Sequence, residues 1–362
     1  MSIASEITRI KNNIEDAYTE CENKGATLPQ DQNSDNLADT IASISGGGGD
    51  LSEYFQTDYT RFNFNRISYN LLLKIPEINM ASNIISLYSC FAYWCFKELN
   101  LPEMDIPNVT DLSYCFFHAG DNNTDGISGT IDLSKFKNAN KVTNFNSMFS
   151  YARMNNIINF SALNTNTVIN TSNMFNGFKI GSAQSPVANL DLSSLNQIKP
   201  TDMSRMFLSS NFNSIDLRNI DTSNTTDMSY MFNACSATQL HLEDFDTSNT
   251  QNFHSMFQSM PSIKHLDISN FKIDSATDIG FMFGYSNYIT TLDISGMDFT
   301  NPPAQFSGVF NCGKNCKQSD GAYADGIPYI YVKDATAQNW VLTANNGHPT
   351  TWTTDNVVIK SN

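Results

Sequence analysis

Residues 215–232 read IDLRNIDTSNTTDMSYMF, and similar stretches occupy residues 190–207 (LDLSSLNQIKPTDMSRMF) and 266–283 (LDISNFKIDSATDIGFMF). Each stretch ends in a methionine–phenylalanine step, which recurs, sometimes with cysteine or valine before the phenylalanine, along the middle of the chain. The phenylalanines of these steps are Phe91, Phe116, Phe149, Phe175, Phe207, Phe232, Phe257, Phe283 and Phe310. Self-similarity with a period near 25 residues is the signature of a solenoid, in which similar units stack along one axis.

Each unit begins with an apolar–polar–apolar triplet, the alternation that is typical of a β-strand. In the unit quoted first the triplet is Ile215-Asp216-Leu217, and it is followed by Met228, Met231 and Phe232 at the spacing of one face of a helical turn. Asp227 would cap that helical turn. We therefore predict about nine rungs over residues 73–310, each consisting of a short strand, a turn and one or two helical turns.

The three quoted stretches resemble the leucine-rich repeats of BspA-like bacterial surface proteins. This resemblance implies an α/β solenoid of the leucine-rich-repeat type, a right-handed stack of rungs, with a role in adhesion. It implies no catalytic residues.

The composition narrows the classes of partner. The chain carries 21 lysines and arginines against 36 aspartates and glutamates, a formal net charge of −15. No basic cluster is visible, so we expect neither nucleic-acid binding nor attraction to an anionic membrane. The sequence lacks a long apolar segment of the kind that spans a bilayer, and its first residues do not resemble a secretory signal peptide.

The sequence predicts neither an enzyme nor a metal centre. The five histidines are scattered outside metal-binding or nucleophile–base spacings. Cys90 and Cys115 stand at the methionine position of the step and are predicted to be core residues. Cys312 and Cys316 would form either a local disulfide or half of a metal site, and the seven cysteines, an odd number, do not suggest a full disulfide framework.

The first 45 residues are predicted to be a helical attachment segment. Ile3, Ile7, Ile10 and Ile14 follow a heptad spacing, so this helix either packs on its neighbour or forms a self-associating stalk. The stalk would make the protein a homo-oligomer, with a trimer favoured. The segment resembles the N-terminal segments of tail and fibre-type structural proteins from phages and prophages of Gram-positive bacteria. That resemblance implies contacts with other tail or virion proteins and a location in the virion tail.

The remaining boundaries follow from composition. Residues 46–50 contain four consecutive glycines and are predicted to be a flexible linker. The aromatic, polar residues 51–72 would cap the first rung. Residues 311–362 would form a C-terminal cap of strand, short helix and strand that includes Trp340 and Trp352.

A first candidate surface follows from the strand triplets. The middle residue of each triplet points away from the core, and stacked strands lie about 4.8 Å apart. We call this row the strand ladder; it consists of Lys74, Asn100, Asp132, Asn159, Asp191, Asp216, His241, Asp267 and Asp293. Neighbouring carboxylates repel, so the ladder is either a solvated sheet face or a binding face for a glycan, a protein or Ca²⁺. The pairs Asp191/Asp216 and Asp267/Asp293 are the best placed to hold a cation.

A second candidate surface lies where insertions are predicted, at residues 118–130, 176–189 and 311–326. Tyr93 and Trp94 lie on this side, where aromatic rings would stack on sugars or contact a protein; the alternative is that they close the end of the solenoid. The sequence thus favours a non-enzymatic binding protein. The most specific hypothesis is a phage or prophage tail-associated receptor-binding protein that recognises a bacterial surface glycan or protein. The alternatives are a BspA-like adhesin on the bacterial cell surface and a structural tail component without receptor contact.

Overall fold

The computed structural model of the chain describes most of the repeat region and the C-terminal segment. The described residues are 84–93, 101, 103–120, 127–163, 166–180, 189–312, 329–343 and 352–360, with Thr19 and the strand segments 56–58, 61–62 and 77–79. The attachment segment, the glycine linker, most of the predicted N-terminal cap and the first strand triplet, at residues 73–75, lie outside these ranges.

Short strands dominate the described residues. The strands are β1 Gln56–Asp58, β2 Arg61–Phe62, β3 Glu77–Asn79, β4 Glu103–Asp105, β5 Ile127–Asp132, β6 Phe136–Lys137, β7 Arg153–Ile158, β8 Lys179–Ile180, β9 Asn189–Asp191, β10 Ser214–Asp216, β11 Gln239–His241, β12 His265–Asp267, β13 Thr291–Asp293, β14 Tyr329–Val332 and β15 Val357–Ile359. Two 3₁₀ turns, Leu133–Lys135 and Phe160–Leu163, and one helix, α1 at Ala335–Thr343, complete the described elements. No helix among the described residues has the length and apolar character needed to cross a bilayer.

One side of the solenoid is a series of parallel sheets. Strands β9, β10 and β11 pair in register, so that Leu190, Ile215 and Leu240 lie side by side. Strands β12 to β15 form a second parallel sheet in chain order. The predicted strand triplets are therefore confirmed from residue 190 onward, and the chain is a parallel β-solenoid.

In the earlier units the predicted strand positions are only partly right. Ile131 and Asp132 lie in β5, as predicted, whereas Leu101 lies outside a strand. There β4 begins at Glu103 and pairs with β6, which places Met104 beside Phe136. In β7 it is Ile157, not Ile158, that lies opposite Ile131. The strand ladder therefore shifts here: Asp132 lies opposite Ile158, which is 38% exposed. Apolar residues are frequent enough in these segments that more than one alignment buries them, so alternation alone does not fix the register.

The other side of the solenoid consists of consecutive turns, and the predicted helical turns are wrong. Met228, Met231 and Phe232 are fully buried, as predicted. The backbone, however, passes through the left-handed region at Tyr230 and Ala234, with φ of 57° and 54°. Alternate amides donate hydrogen bonds to the next unit rather than back along the chain, for example Phe232 N to Met256 O at 2.8 Å.

The physical reason is that a helix of one or two turns is unstable by itself. Its first turn fixes the backbone conformation of several residues and gains only one hydrogen bond. Stacked units instead offer every second amide a partner in the adjacent unit. The spacing i, i+3, i+4 buries the same side chains in both conformations, which is why the apolar pattern did not distinguish them.

Isolated parallel bridges connect equivalent residues along this side. We call the bridged row the turn ladder and each of its members a level: Ser86, Asp111, Asn144, Asn170, Asp202, Asp227, Asn252, Asp278 and Gln305. Asp227 accepts a hydrogen bond from the amide of Ser229 at 2.7 Å, and Asp202, Asp278 and the asparagines accept the equivalent bond. These side chains stabilise turns rather than cap helices.

The core lies between the two sides and is organised by the phenylalanines of the step. All nine rings stack in sequence, with centroids 5.1 to 5.9 Å apart and interplanar angles of 3° to 11°. The residues before them are buried as well, including Cys90 and Cys115, as predicted. Burial raises the pKa of the Cys115 thiol, as expected for a core residue.

The C-terminal residues cover the last level in the predicted order of strand, helix and strand. Strand β14 pairs with β13, and β15 with β14. Trp340 of α1 stacks on Phe299, with ring centroids 4.3 Å apart, and also contacts Phe310, the last ring of the core stack. Trp352 contacts the same ring from β15's side of the cap.

Candidate binding surfaces

The strand ladder forms where the register holds, but its carboxylates are engaged. Asp191, Asp216 and His241 are direct neighbours across three strands, and Asp267 lies beside Asp293. Each of the four aspartates accepts a hydrogen bond at 2.9–3.0 Å from the amide two residues further on. Asp132 does the same and also accepts a bond from the Asn159 side chain. The first role of these residues is therefore to hold the turn that follows each strand.

Basic side chains of the protein itself lie at the two carboxylate pairs singled out from the sequence. Arg218 forms an ion pair with Asp216, and Lys360 forms one with Asp293, both at 2.5 Å. Hydrogen bonds from Arg218 hold the pKa of Asp216 below its usual value. Burial opposes ionisation of Asp293, but bonds from Lys360 and Ser295 outweigh it, so its pKa is lowered too. Ca²⁺ binding stays a prediction, and these two side chains would compete with it.

In the part of the chain that the structure describes, no three His, Cys, Asp or Glu side chains come together in a group able to hold a metal ion. Cys316 lies outside the described residues, so the predicted disulfide or half metal site at residues 312–316 stays a prediction.

Tyr93 belongs to a cluster of aromatic residues on the turn side. We call this cluster the aromatic face; it consists of Tyr88, Tyr93, Tyr114, Phe117, His118 and Tyr151. Tyr93 is 58% exposed and stacks on His118 at 5.3 Å, and His118 stacks on Tyr151 at 4.9 Å. Phe117 touches Tyr93, Tyr114 and Tyr151 edge-on. Trp94, the other aromatic predicted here, lies outside the described residues.

The left-handed turns place this cluster at the surface. Left-handed residues recur two positions before and two positions after the core phenylalanine of nearly every level, so their side chains flank the buried ring. Tyr93, His118 and Tyr151 occupy the second of these positions in three successive levels, with φ between 53° and 60°. In the next level this position is Gly177, where an added Cβ would lie 2.6 Å from the Tyr151 ring. The glycine therefore gives the last ring of the row room to lie flat.

The sequence pattern contained the signal for this cluster, but the predicted strand–helix unit did not reveal it. An aromatic residue stands two positions after the core phenylalanine in the first three levels, at Tyr93, His118 and Tyr151. Stacked units bring equivalent positions into one column in either conformation, but the helical interpretation did not indicate that this position faces solvent. The left-handed turn leaves it at the surface, with Tyr93 58% and Tyr151 44% exposed.

The predicted insertions and the attachment segment are only partly described. The first insertion ends in β5, which pairs with β7 and so extends the sheet side. Residues 121–126, 181–188 and 313–328 lie outside the described residues. So do Ile3, Ile7, Ile10 and Ile14, and the predicted oligomerisation stays a prediction.

The fold and its surfaces define a repeat protein of the parallel β-solenoid class. A family model described as "Mycoplasma protein of unknown function, DUF285" matches residues 85–207 and again residues 201–323. The chain belongs to this family, and the two matches together span the whole turn ladder. The match is consistent with the BspA-like resemblance of the repeats and does not extend over the attachment segment. A search of curated proteins found no match.

Proposed function

We propose that this protein is a non-enzymatic binding protein whose aromatic face recognises a bacterial surface glycan or protein. The observation that carries the proposal is the stack of Tyr93, His118 and Tyr151, an aromatic column on three successive levels with both tyrosines exposed. Exposed aromatic rings supply a large contact area at low entropic cost, which is why they are common at recognition surfaces.

The fold itself does not require aromatic residues in this column. The later levels have Ser209, Ala234 and Ser259 at the equivalent left-handed position, with the same cross-level hydrogen bonds. Tyr285 fills this position in one later level and is exposed as well, but in the described residues only Tyr93, His118 and Tyr151 form a contacting row of three rings here. Such a row in water is better explained by binding than by stability.

The most specific form of the proposal is a receptor-binding protein of a phage or prophage tail. The resemblance of the attachment segment to tail and fibre-type proteins supports it, and that segment would join the solenoid to other virion proteins as a homo-oligomer. Membership in a family that fits a surface repeat protein supports the alternative, an adhesin on the bacterial cell surface. A structural tail component without receptor contact would have the same fold, but its aromatic face would bind no receptor.

The proposal is tested by binding of the full-length protein to whole bacterial cells. A double variant, Tyr93→Ser with Tyr151→Ser, is expected to lose at least about tenfold in affinity, since an aromatic anchor is commonly worth 1.4 kcal/mol or more, roughly a factor of ten. Serine occurs at this position in other levels, so the variant should fold. The control is Tyr329→Thr, a similarly exposed tyrosine on β14. Equal binding by the double variant and the wild type, or no binding by the wild type, would contradict the proposal.

A further inference from the structure

A groove of about 320 Å³ opens on the turn side at the last three levels, away from the aromatic face. Its lining includes His254, Asp278, Gly280, Phe281, Gln305 and Phe306. The volume lies at the lower end of the range of about 300–1,000 Å³ that is usual for small-molecule sites. The groove combines aromatic walls with a few polar groups, the usual chemistry of such sites.

The groove exists because Gly280 lacks a side chain. Buried serines, Ser204 and Ser229, occupy the equivalent position in two earlier levels. A Cβ at residue 280 would lie 3.0 Å from Asp278 Oδ1 and 3.1 Å from His254 Nδ1. The glycine thus keeps the histidine ring and the carboxylate accessible.

His254 and Asp278 together present hydrogen-bond acceptors. The Asp278 carboxylate accepts the Gly280 amide at 2.7 Å and lies 3.2 Å from His254 Nδ1. In the neutral imidazole, a carboxylate at Nδ1 makes that nitrogen the donor and leaves Nε2 as an acceptor. An ionised carboxylate has about four lone-pair sites, so Asp278 also has sites beyond these two contacts.

The aromatic walls are fixed by the next level. The Phe281 ring lies over Gly308, where a Cβ would be 2.6 Å from the ring, and its centroid is 6.1 Å from that of His254. Phe306, which is half-buried, also lines the groove. A ligand would therefore meet flat apolar surface next to acceptor groups.

The acceptor chemistry narrows the class of ligand. An anion would be repelled by the Asp278 carboxylate and by a chain with a formal charge of −15. A purely apolar ligand would strip water from the carboxylate without replacing its hydrogen bonds. We infer that the groove binds a sugar ring, whose hydroxyls donate to Asp278 and His254 while its apolar face packs on Phe281 and Phe306.

The inference is tested with the full-length protein by saturation-transfer NMR. The probes are the methyl glycosides of glucose, galactose and N-acetylglucosamine, with tetramethylammonium as a cationic comparison. At least one glycoside is expected to bind. Its affinity should fall at least tenfold in Gly280→Ser, which fills the groove, and in Asp278→Asn, which removes the charge.

Both substitutions introduce residues that equivalent positions already contain, Ser229 and Asn252, so both variants should keep the fold. Asp202→Asn, at a level away from the groove, is the matched control and should bind like the wild type. The tyrosine double variant of the aromatic face should also keep glycoside binding, which separates this site from the proposed function. The inference is overturned if no glycoside binds the wild type, if Gly280→Ser binds unchanged, or if only tetramethylammonium binds.

Discussion

The rings of Phe116 and Phe149 stack 5.2 Å apart and within 3° of parallel, although 33 positions separate them in the sequence. The usual interval in this chain is near 25, so the longer connection does not interrupt the stack of rings. The stack therefore keeps adjacent levels aligned even where the sequence interval is longer. Stacked aromatic pairs contribute beyond the area they bury, which makes this column a strong determinant of the alignment.

Removing one ring of the stack should destabilise the solenoid. Phe149→Ala is expected to lower the free energy of unfolding by about 3–5 kcal/mol, because it leaves a cavity between the rings above and below. Urea denaturation followed by circular dichroism measures the loss. Tyr151→Ala, two residues away and exposed, is the control and should cost about 1 kcal/mol or less. Similar losses for both variants would contradict the assigned core.

That core could be predicted from the sequence because burial depends on the repeat period alone. The nine phenylalanines, and the methionines and cysteines before them, are buried whichever backbone conformation connects them. The helical turns were predicted wrongly because the apolar spacing does not indicate whether the backbone amides donate hydrogen bonds within their own unit or to the next one.

A glycine substitution distinguishes the observed turns from the predicted helix. Ala234 has φ of 54°, a conformation that costs an L-residue about 1–2 kcal/mol and glycine much less. Ala234→Gly is therefore expected to raise the free energy of unfolding by up to about 1 kcal/mol. In a helix the same change would lower it by about 1 kcal/mol. Thermal melting shows whether Ala234→Gly raises or lowers stability. The control is Ala152→Gly, at a buried position without left-handed backbone, which should be destabilising.

The ion pair between Asp293 and Lys360 should make the attachment of the C-terminal cap depend on pH. The folded pKa of Asp293 is lowered, so its contribution is complete above the unfolded pKa of about 3.9 and is lost as the pH falls through the lower folded pKa. Asp293→Asn keeps an acceptor for the Ser295 amide but lacks this dependence. The difference in melting temperature between wild type and variant should be present at pH 7 and shrink below about pH 4. A difference independent of pH would show that the ion pair does not contribute.

Arg218 should protect the strand ladder from divalent cations. In the wild type we expect the melting temperature to be the same in Ca²⁺ and in EDTA, because the guanidinium already pairs with Asp216 and lies in the field of Asp191. Arg218→Ala leaves the neighbouring carboxylates without this charge and should acquire stabilisation by Ca²⁺. Arg218→Lys, which keeps the charge, is the control. Stabilisation of the wild type by Ca²⁺ would instead favour a native calcium site.

The attachment segment should determine the oligomeric state. Deletion of residues 1–49 removes Ile3, Ile7, Ile10 and Ile14 and is expected to convert a homo-oligomer, with a trimer favoured, into a monomer with the solenoid folded. Light scattering gives the subunit number, and circular dichroism checks the fold. An unchanged subunit number would refute the stalk and favour a helix that packs on its neighbour.

Two features of the surface depended on contacts between levels and were not predictable from one unit. The aromatic face requires that residues such as Tyr93 and Tyr151 take the same left-handed position in successive levels. The groove requires that Gly280 follow His254 and precede Phe306 in adjacent levels. Neither relationship appears within a single repeat.

The sequence by itself determined that this chain stacks similar units, which side chains those units bury and roughly where strands begin, because apolar periodicity dictates burial. The tertiary structure decided the conformation of the turns and the identity of neighbours on the outside. The physical reason is that each turn is stabilised by amides donating to the next level, so its shape is a property of the stack and not of the segment that forms it.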